Sequence, residues 1–221
     1  MRAGESAELT DGLGRRAHTQ VRQVSGRDEC LVSVLSVVVE PEPAVRFVVA
    51  QALVKGEQGE HAIDLLTQVG VDEIVPWQAQ RCVARWEGER AARGARRWGD
   101  ALTAAALQSR RARWPVLREL TDLAGVAQLA AEVVGTSGSV LVLHERAQDG
   151  LDPAHLPTAG TVLVVVGPEG GLTDSEVSVL TGAGGRATRL GSPVMRASSA
   201  GAFAVAACSA VTRWNRDRIG P

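Results

Sequence analysis

The chain has 221 residues, 45% of them hydrophobic and 22% charged, with a formal net charge of −1. These values exclude disordered and fibrous classes and leave room for one or two domains with a real core. The chain as a whole is no polycation, so any affinity for nucleic acid must come from a local patch.

Cys30, Cys82 and Cys208 lie far apart with no CxxC spacing, which predicts neither a disulfide framework nor a zinc site. The first residues, MRAGESAELTDG, lack the apolar core of a signal peptide. The longest strongly apolar stretch, Ala200 to Val211, is 12 residues against the ~20 that a span requires. A cytoplasmic protein without membrane contact is expected.

The first forty residues read as short strands: Ala7 to Asp11, Ala17 to Val24 and Leu31 to Val39, parted by the turn signals DGLG and SGRDE. Glu40-Pro41-Glu42-Pro43 reads as a linker, because proline cannot donate to a strand ladder. Three strands are too few to bury a stable domain by themselves. Beyond the linker, strands and helices alternate. Val45 to Leu53 is a strand, Gln58 to Val69 a helix stopped by Gly70, and Glu73 to Val75 a strand. Glu89 to Arg113 reads as one long helix and Ala124 to Val134 as another. Val140 to Leu143 and Val162 to Val166 are continuous β-branched runs, suited to parallel strands buried on both faces. Thr173 to Thr181 is a helix, Ala187 to Leu190 a strand and Ala200 to Trp214 a final helix. The expectation is an α/β domain over residues 44–221, preceded by a small β unit over 1–43.

Two loops carry the strongest chemical signal. In Thr161 to Glu176 an apolar strand ends in Gly167-Pro168-Glu169-Gly170-Gly171, and Thr173 and Glu176 have the spacing of a capping box. Ligands of open α/β sheets bind at such carboxyl ends of strands, where glycine admits close approach. The loop is neither GxGxxG nor a P-loop. In Arg189 to Ala200, RLGSPVMRASSA, a strand again ends in glycine, and Arg196 precedes an apolar helix. There it either pairs with the fold or binds an anion. A third signal is electrostatic. Arg81 to Arg118 holds ten arginines against three acids, a local charge of +7, with Trp86, Trp98 and Trp114 between them. Guanidinium forks bind phosphate and indole faces can stack on bases, so RNA contact is expected. His18, His61, His144 and His155 have no metal spacing, and no metal is predicted.

Together these segments resemble the small-subunit ribosomal RNA uridine-N3 methyltransferases of the knotted SPOUT superfamily. The matching stretches are DGLGRR (11–16), residues 51–83, the arginine-rich helix ending in QSRR (108–111), VLHE (142–145), VVVGPEGGLTDSEV (164–177) and RLGSPVMRASSA (189–200). The resemblance implies a trefoil-knotted parallel sheet flanked by helices, preceded by an incomplete PUA-like β-barrel. It implies an S-adenosylmethionine site made by Leu143 and His144, by Gly167, Pro168, Glu169, Gly170 and Gly171, and by Leu190, Gly191, Val194, Met195 and Arg196. It also implies a homodimer acting on 16S ribosomal RNA or the small ribosomal subunit. Arg15, Arg16, Arg81, Gln108, Arg110, Arg111 and Arg113 are the expected RNA contacts. Arg196 and Glu169 are the expected catalytic groups: Arg196 to stabilise a uracil anion, Glu169 as a proton acceptor or as a shaper of its loop.

Three departures from the family pattern stand out. Arg196-Ala197-Ser198-Ser199 replaces an Arg-Thr-Glu-Thr-like run, Leu107 replaces a charged residue, and DGLG comes unusually early in the chain. They keep two alternatives open: a SPOUT-type methyltransferase acting on another RNA, or an RNA-binding relic without activity.

Overall fold

The switch from short strands to alternating strands and helices separates two units. The computed structural model describes residues 1–27 and 29–214. The first unit is Met1–Glu42 with Arg110–Trp114; the second is Pro43–Ser109 and the chain from Pro115 onward.

In the first unit β1 (Ser6–Thr10), β2 (Arg15–Ser25) and β3 (Glu29–Val39) form an open antiparallel sheet with β2 at its centre. The DGLG turn joins β1 to β2. Asp11 Oδ1 accepts the amides of Leu13 (2.7 Å) and Arg15 (3.1 Å), which hold its carboxyl below the usual carboxylate range. Segment 110–114 closes on this turn. Ala112 carbonyl accepts Thr10 Oγ1 at 2.9 Å and the Gly14 amide at 2.9 Å. The Trp114 indole lies where a Cβ on Gly12 would meet it at 3.3 Å.

The second unit is a six-stranded parallel sheet in the order β6-β5-β4-β8-β7-β9. Its strands are β4 (Val45–Ala52), β5 (Glu73–Trp77), β6 (Val116–Leu117), β7 (Ser139–Leu143), β8 (Gly160–Val166) and β9 (Arg186–Thr188). Its helices are α1 (Gln58–Val69), α2 (Glu89–Gln108), α3 (Leu123–Gly135), α4 (Asp174–Gly182) and α5 (Ala197–Thr212). In β4 every residue but Arg46 is buried, so both faces of the sheet are covered. Two groups of helices do this: α1 contacts α2 and α5, with α5 on β4 and β8, while α3 and α4 contact each other and β7. Gly70 ends α1 in the left-handed conformation, φ 97°, as a C-terminal glycine does. Arg213 anchors the far end of α5. It donates to the carbonyls of Val45 and Gly70 (2.7 Å each), pairs with Asp72, and lies 4.5 Å from the Phe47 ring centre.

The structure corrects the sequence reading in four places. Helix α2 stops at Gln108 instead of running to Arg113: Ser109 Oγ folds back onto Ala105 carbonyl at 2.6 Å, and Arg110 turns left-handed at φ 53°. Helix α5 starts at Ala197, so Ala197-Ser198-Ser199 is its first turn and not a loop. Strand β9 ends at Thr188. The two-residue β6 and a 3-10 turn at Pro153–His155 carry no periodic signal and are absent from the reading. No helix among the described residues is long and apolar enough to cross a membrane.

Candidate functional site

The carboxyl ends of β7, β8 and β9 open into one cavity of about 550 Å³. That is the size of a pocket for a medium-sized organic ligand. Each strand contributes the loop that follows it.

After β7 come Leu143, His144, Glu145 and Arg146. The His144 amide donates to Thr188 carbonyl at 3.0 Å, tying this loop to the end of β9. Its Nδ1 accepts the Arg146 amide at 3.2 Å. After β8 comes Gly167 to Leu172. Gly167 is packed so tightly that a Cβ would meet Leu172 Cγ at 2.9 Å, whereas Gly171 sits at φ +70° and donates to Pro168 carbonyl at 2.8 Å. Glu169 Oε1 accepts the Lys55 amide at 2.8 Å. Thr173 and Glu176 form the expected capping box. Buried Glu176 also reaches out of its helix, its Oε1 accepting the Gln80 amide at 2.7 Å. After β9 come Leu190, Gly191, Ser192, Pro193, Val194, Met195 and Arg196.

All twelve residues expected to form a cofactor site line this one cavity. The reading missed Val54 and Gln58, which enter from the β4–α1 segment, and Ser198, whose Oγ donates to Gln58 Oε1 at 2.9 Å. The available signal was the polar glycine-bearing run KGEQGE at the carboxyl end of a parallel strand. The walls mix apolar side chains (Val54, Leu143, Val166, Leu172, Leu190, Val194, Met195) with two glycine-bearing loops, those after β8 and β9. Such walls suit a ligand with a flat heteroaromatic part and a polar tail.

Charge is arranged unevenly around the cavity. Glu145 and Glu169 are its acids; Arg81, Arg146, Arg189 and Arg196 are its cations. Arg146 is paired with Asp174 at 2.9 Å. Arg196 sits exposed at the N-cap of α5, and among the described residues no carboxylate pairs with it. Its place at the cavity favours the anion-binding alternative over the fold-pairing one.

The expected RNA residues fall in both units. Arg15, Arg16, Arg110, Arg111 and Arg113 belong to the first; Arg81 and Gln108 to the second. Arg15, Gln108 and Arg110 are exposed. Arg16 is held by Glu40 (2.7 Å) and Glu8 (3.1 Å), which raise its pKa, and Arg113 donates to Glu40 carbonyl at 2.9 Å. Arg111 Nε donates to Arg113 carbonyl at 2.9 Å. Arg81 Nη1 donates to Gly170 carbonyl at 3.0 Å and lines the cavity. Base stacking by the tryptophans is not supported. Trp98 is buried, Trp86 meets it edge-on at 4.9 Å, and Trp114 is fixed by Nε1 on Arg111 carbonyl at 3.1 Å. In the second unit α2 presents exposed cations at Arg90, Arg93, Arg96 and Arg97, the last of them 3.7 Å from Glu60. Among the described residues, no cluster of three or more His, Cys, Asp or Glu could hold a metal ion.

Residues 40–209 match the family model described as an RNA methyltransferase domain. Proteins named ribosomal RNA small subunit methyltransferase E from Mycobacterium bovis and Mycobacterium tuberculosis are 42% identical over 216 residues, 97% of this chain and 82% of theirs. The Bacillus subtilis protein of that name is 30% identical over 174 residues, 76% of this chain and 67% of its own. Among solved structures, a Legionella pneumophila protein in complex with the cofactor SAM has a TM-score of 0.82 at 27% identity, covering 96% of this chain and 85% of that one. A Neisseria gonorrhoeae small-subunit methyltransferase E bound to S-adenosyl methionine has the same fold, with a TM-score of 0.83 at 21% identity over 96% of this chain and 85% of that one.

Proposed function

The chain belongs to the small-subunit ribosomal RNA methyltransferase family of the SPOUT superfamily, and from that premise we propose that it methylates N3 of a uridine in 16S ribosomal RNA, using S-adenosylmethionine. The observation that carries this reading is the convergence of three strand-end loops on one cavity, with Arg196 at its edge.

The cavity fits the cofactor: apolar side chains and glycine backbone for adenine, and the polar groups of Gln58, Ser192 and Ser198 for its amino-acid tail. When bound, S-adenosylmethionine supplies an electrophilic methyl group. The protein's own task is to bring uracil N3 to that position and make it nucleophilic. Uracil N3–H is a weak acid whose lone pair becomes available only when the proton leaves. A cation beside O2 or O4 stabilises the anion and lowers that pKa; Arg196 is free to do so. Glu169 has one oxygen committed to the Lys55 amide, so its main task is to hold the loop. Positioning accounts for much of the rate in such transfers. Because N3 lies on the pairing edge, the base must be unpaired or flipped out.

Three finer features belong to the same proposal. RNA is held through phosphates by Arg15, Arg110 and Arg111 in the first unit, which we read as part of a PUA-like barrel, and by the α2 arginines in the second. We read a deep knot into the return of the chain from edge strand β9 to α5 on central β4 and β8; the contacts of α5 with both strands support that reading. A homodimer is supported by the exposed apolar stripe Phe203, Ala207, Ala210, Val211 and Trp214 along and just beyond α5.

The test is methyl transfer from labelled S-adenosylmethionine to unmodified small ribosomal subunits, with the product nucleoside identified by mass. N3-methyluridine is expected. A different methylated nucleoside refutes the N3 assignment, and no transfer despite cofactor binding refutes the substrate.

A further inference from the structure

We infer that Arg81 is a positioning residue: a latch that sets the shape of the glycine-rich loop and so preorganises the cavity. The inference rests on the cofactor reading above. Sequence places Arg81 in a basic run and suggests RNA; in the structure its exposed side chain is committed to the glycine-rich loop.

Strands β5 and β8 are not neighbours, since β4 lies between them. The segment that follows β5 nevertheless reaches β8 and its loop at three points. Trp77 Nε1 donates to Val166 carbonyl at 3.1 Å, the last residue of β8. The Gln80 amide donates to Glu176 at 2.7 Å. Arg81 Nη1 donates to Gly170 carbonyl at 3.0 Å and more distantly to Leu172 carbonyl at 3.4 Å. Those two carbonyls flank Gly171, the loop's left-handed residue at φ +70°. One guanidinium nitrogen therefore braces both sides of the turn that glycine alone adopts without strain. Gly170 completes the fit: a Cβ there would lie 3.1 Å from Arg81 Cβ, so its absence lets the arginine stem lie against the loop. Among the described residues no carboxylate pairs with Arg81, so its charge is spent on carbonyl dipoles and on the cavity it lines.

The experiment compares wild type, Arg81→Ala and Arg81→Lys in four measurements. These are hydrogen exchange of peptides spanning Gly167 to Thr173 in cofactor-free protein, S-adenosylmethionine affinity by calorimetry, RNA affinity, and melting temperature. Losing a charge-assisted bond of this kind weakens cofactor binding by about tenfold. The expected result for Arg81→Ala is that loss with faster loop exchange, at unchanged melting temperature and RNA affinity. Arg81→Lys, which can still donate to Gly170 carbonyl, recovers part of it. Unchanged loop exchange and cofactor affinity with a fall in RNA affinity overturns the latch and returns Arg81 to RNA. If Arg81→Ala does not fold, Arg81→Lys and Gly170→Ala decide: wild-type exchange and affinity in both refute it. If wild type binds no S-adenosylmethionine, the cofactor reading fails, and loop exchange alone judges the latch.

Discussion

Strands β3 and β8 are both valine-rich runs, set in different surroundings. Leu31 to Val39 reads LVSVLSVVV and Thr161 to Val166 reads TVLVVV. In β8, Val162 to Val166 are all buried, because β4 and β7 pair with its two edges and helices cover the sheet. In β3, Leu31, Val34, Leu35, Val37, Val38 and Val39 are all large exposed apolar residues, and among the described residues only β2 pairs with it. A β-branched run fixes an extended backbone; whether it is buried depends on what arrives from elsewhere in the chain. The stability of the molecule is therefore concentrated in the parallel sheet. The free edge of β3, without a charge from Leu31 to Val39, is instead an invitation to pair.

The largest test of that contrast is a pair of truncations. Phe47 is fully buried in β4 under the Arg213 guanidinium, while Leu35 is 63% exposed in β3. Phe47→Ala is expected to cost about 3–5 kcal/mol by denaturant titration. Leu35→Ala is expected to stay within about 0.5 kcal/mol. A comparable loss at Leu35 would mean that β3 is covered in solution and would erase the contrast.

The same contrast explains what was legible in the sequence. The parallel strands other than β6, α1 with its Gly70 stop, and the Thr173–Glu176 capping box were readable because each rests on a local rule. So were the two loops GPEGG and RLGSPVMR, since both follow strands at the ligand-binding end of the sheet and carry glycine there. What could not be read was set by distant partners. The long arginine-rich helix keeps its propensity beyond Gln108, yet segment 110–114 leaves it to bind Thr10 and Gly14. Trp86 and Trp98 resemble stacking platforms only until they are seen to pack on each other. Arg81 looked like one more basic residue because its carbonyl partners lie about ninety positions away.

Two carboxylates sharpen the comparison at intermediate size. Asp11 and Glu176 each accept two backbone amides, Asp11 at an exposed turn of the first unit and Glu176 buried in the second. Removing Glu176 leaves the Gln80 amide without its partner, so Glu176→Ala is expected to cost about 1–3 kcal/mol. Asp11→Asn is expected to cost less, and its effect depends on pH in a defined direction. Because amide bonds lower the folded pKa of Asp11 below 3.8, its contribution is present above that value and disappears as pH falls through the folded pKa. The gap between wild type and Asp11→Asn in denaturation midpoint should therefore close under acid. A gap that stayed constant would show that the turn does not use the charge.

The smallest effect is read from the thiols. All three cysteines are free; Cys30 is exposed in β3, whereas Cys82 and Cys208 are buried in the second unit. Burial pushes the Cys208 thiol up to about 12 and raises that of Cys82, to which the charges of Glu169 and Glu176 add. At pH 8 a disulfide reagent should therefore modify one thiol per chain quickly, and Cys30→Ser should abolish that phase. The two buried thiols should wait for unfolding, because only the thiolate reacts. The sign of the linkage follows from the raised pKa. Below pH 9.0 the neutral thiol is the stable form both folded and unfolded, and the stabilising term is complete; it is lost progressively as pH rises toward 12. The slow phase should accelerate above pH 9 faster than thiolate formation in an exposed cysteine accounts for. Three equal rates at pH 8 would mean that the parallel sheet opens as readily as the three-stranded one, and the division of stability between them would be wrong.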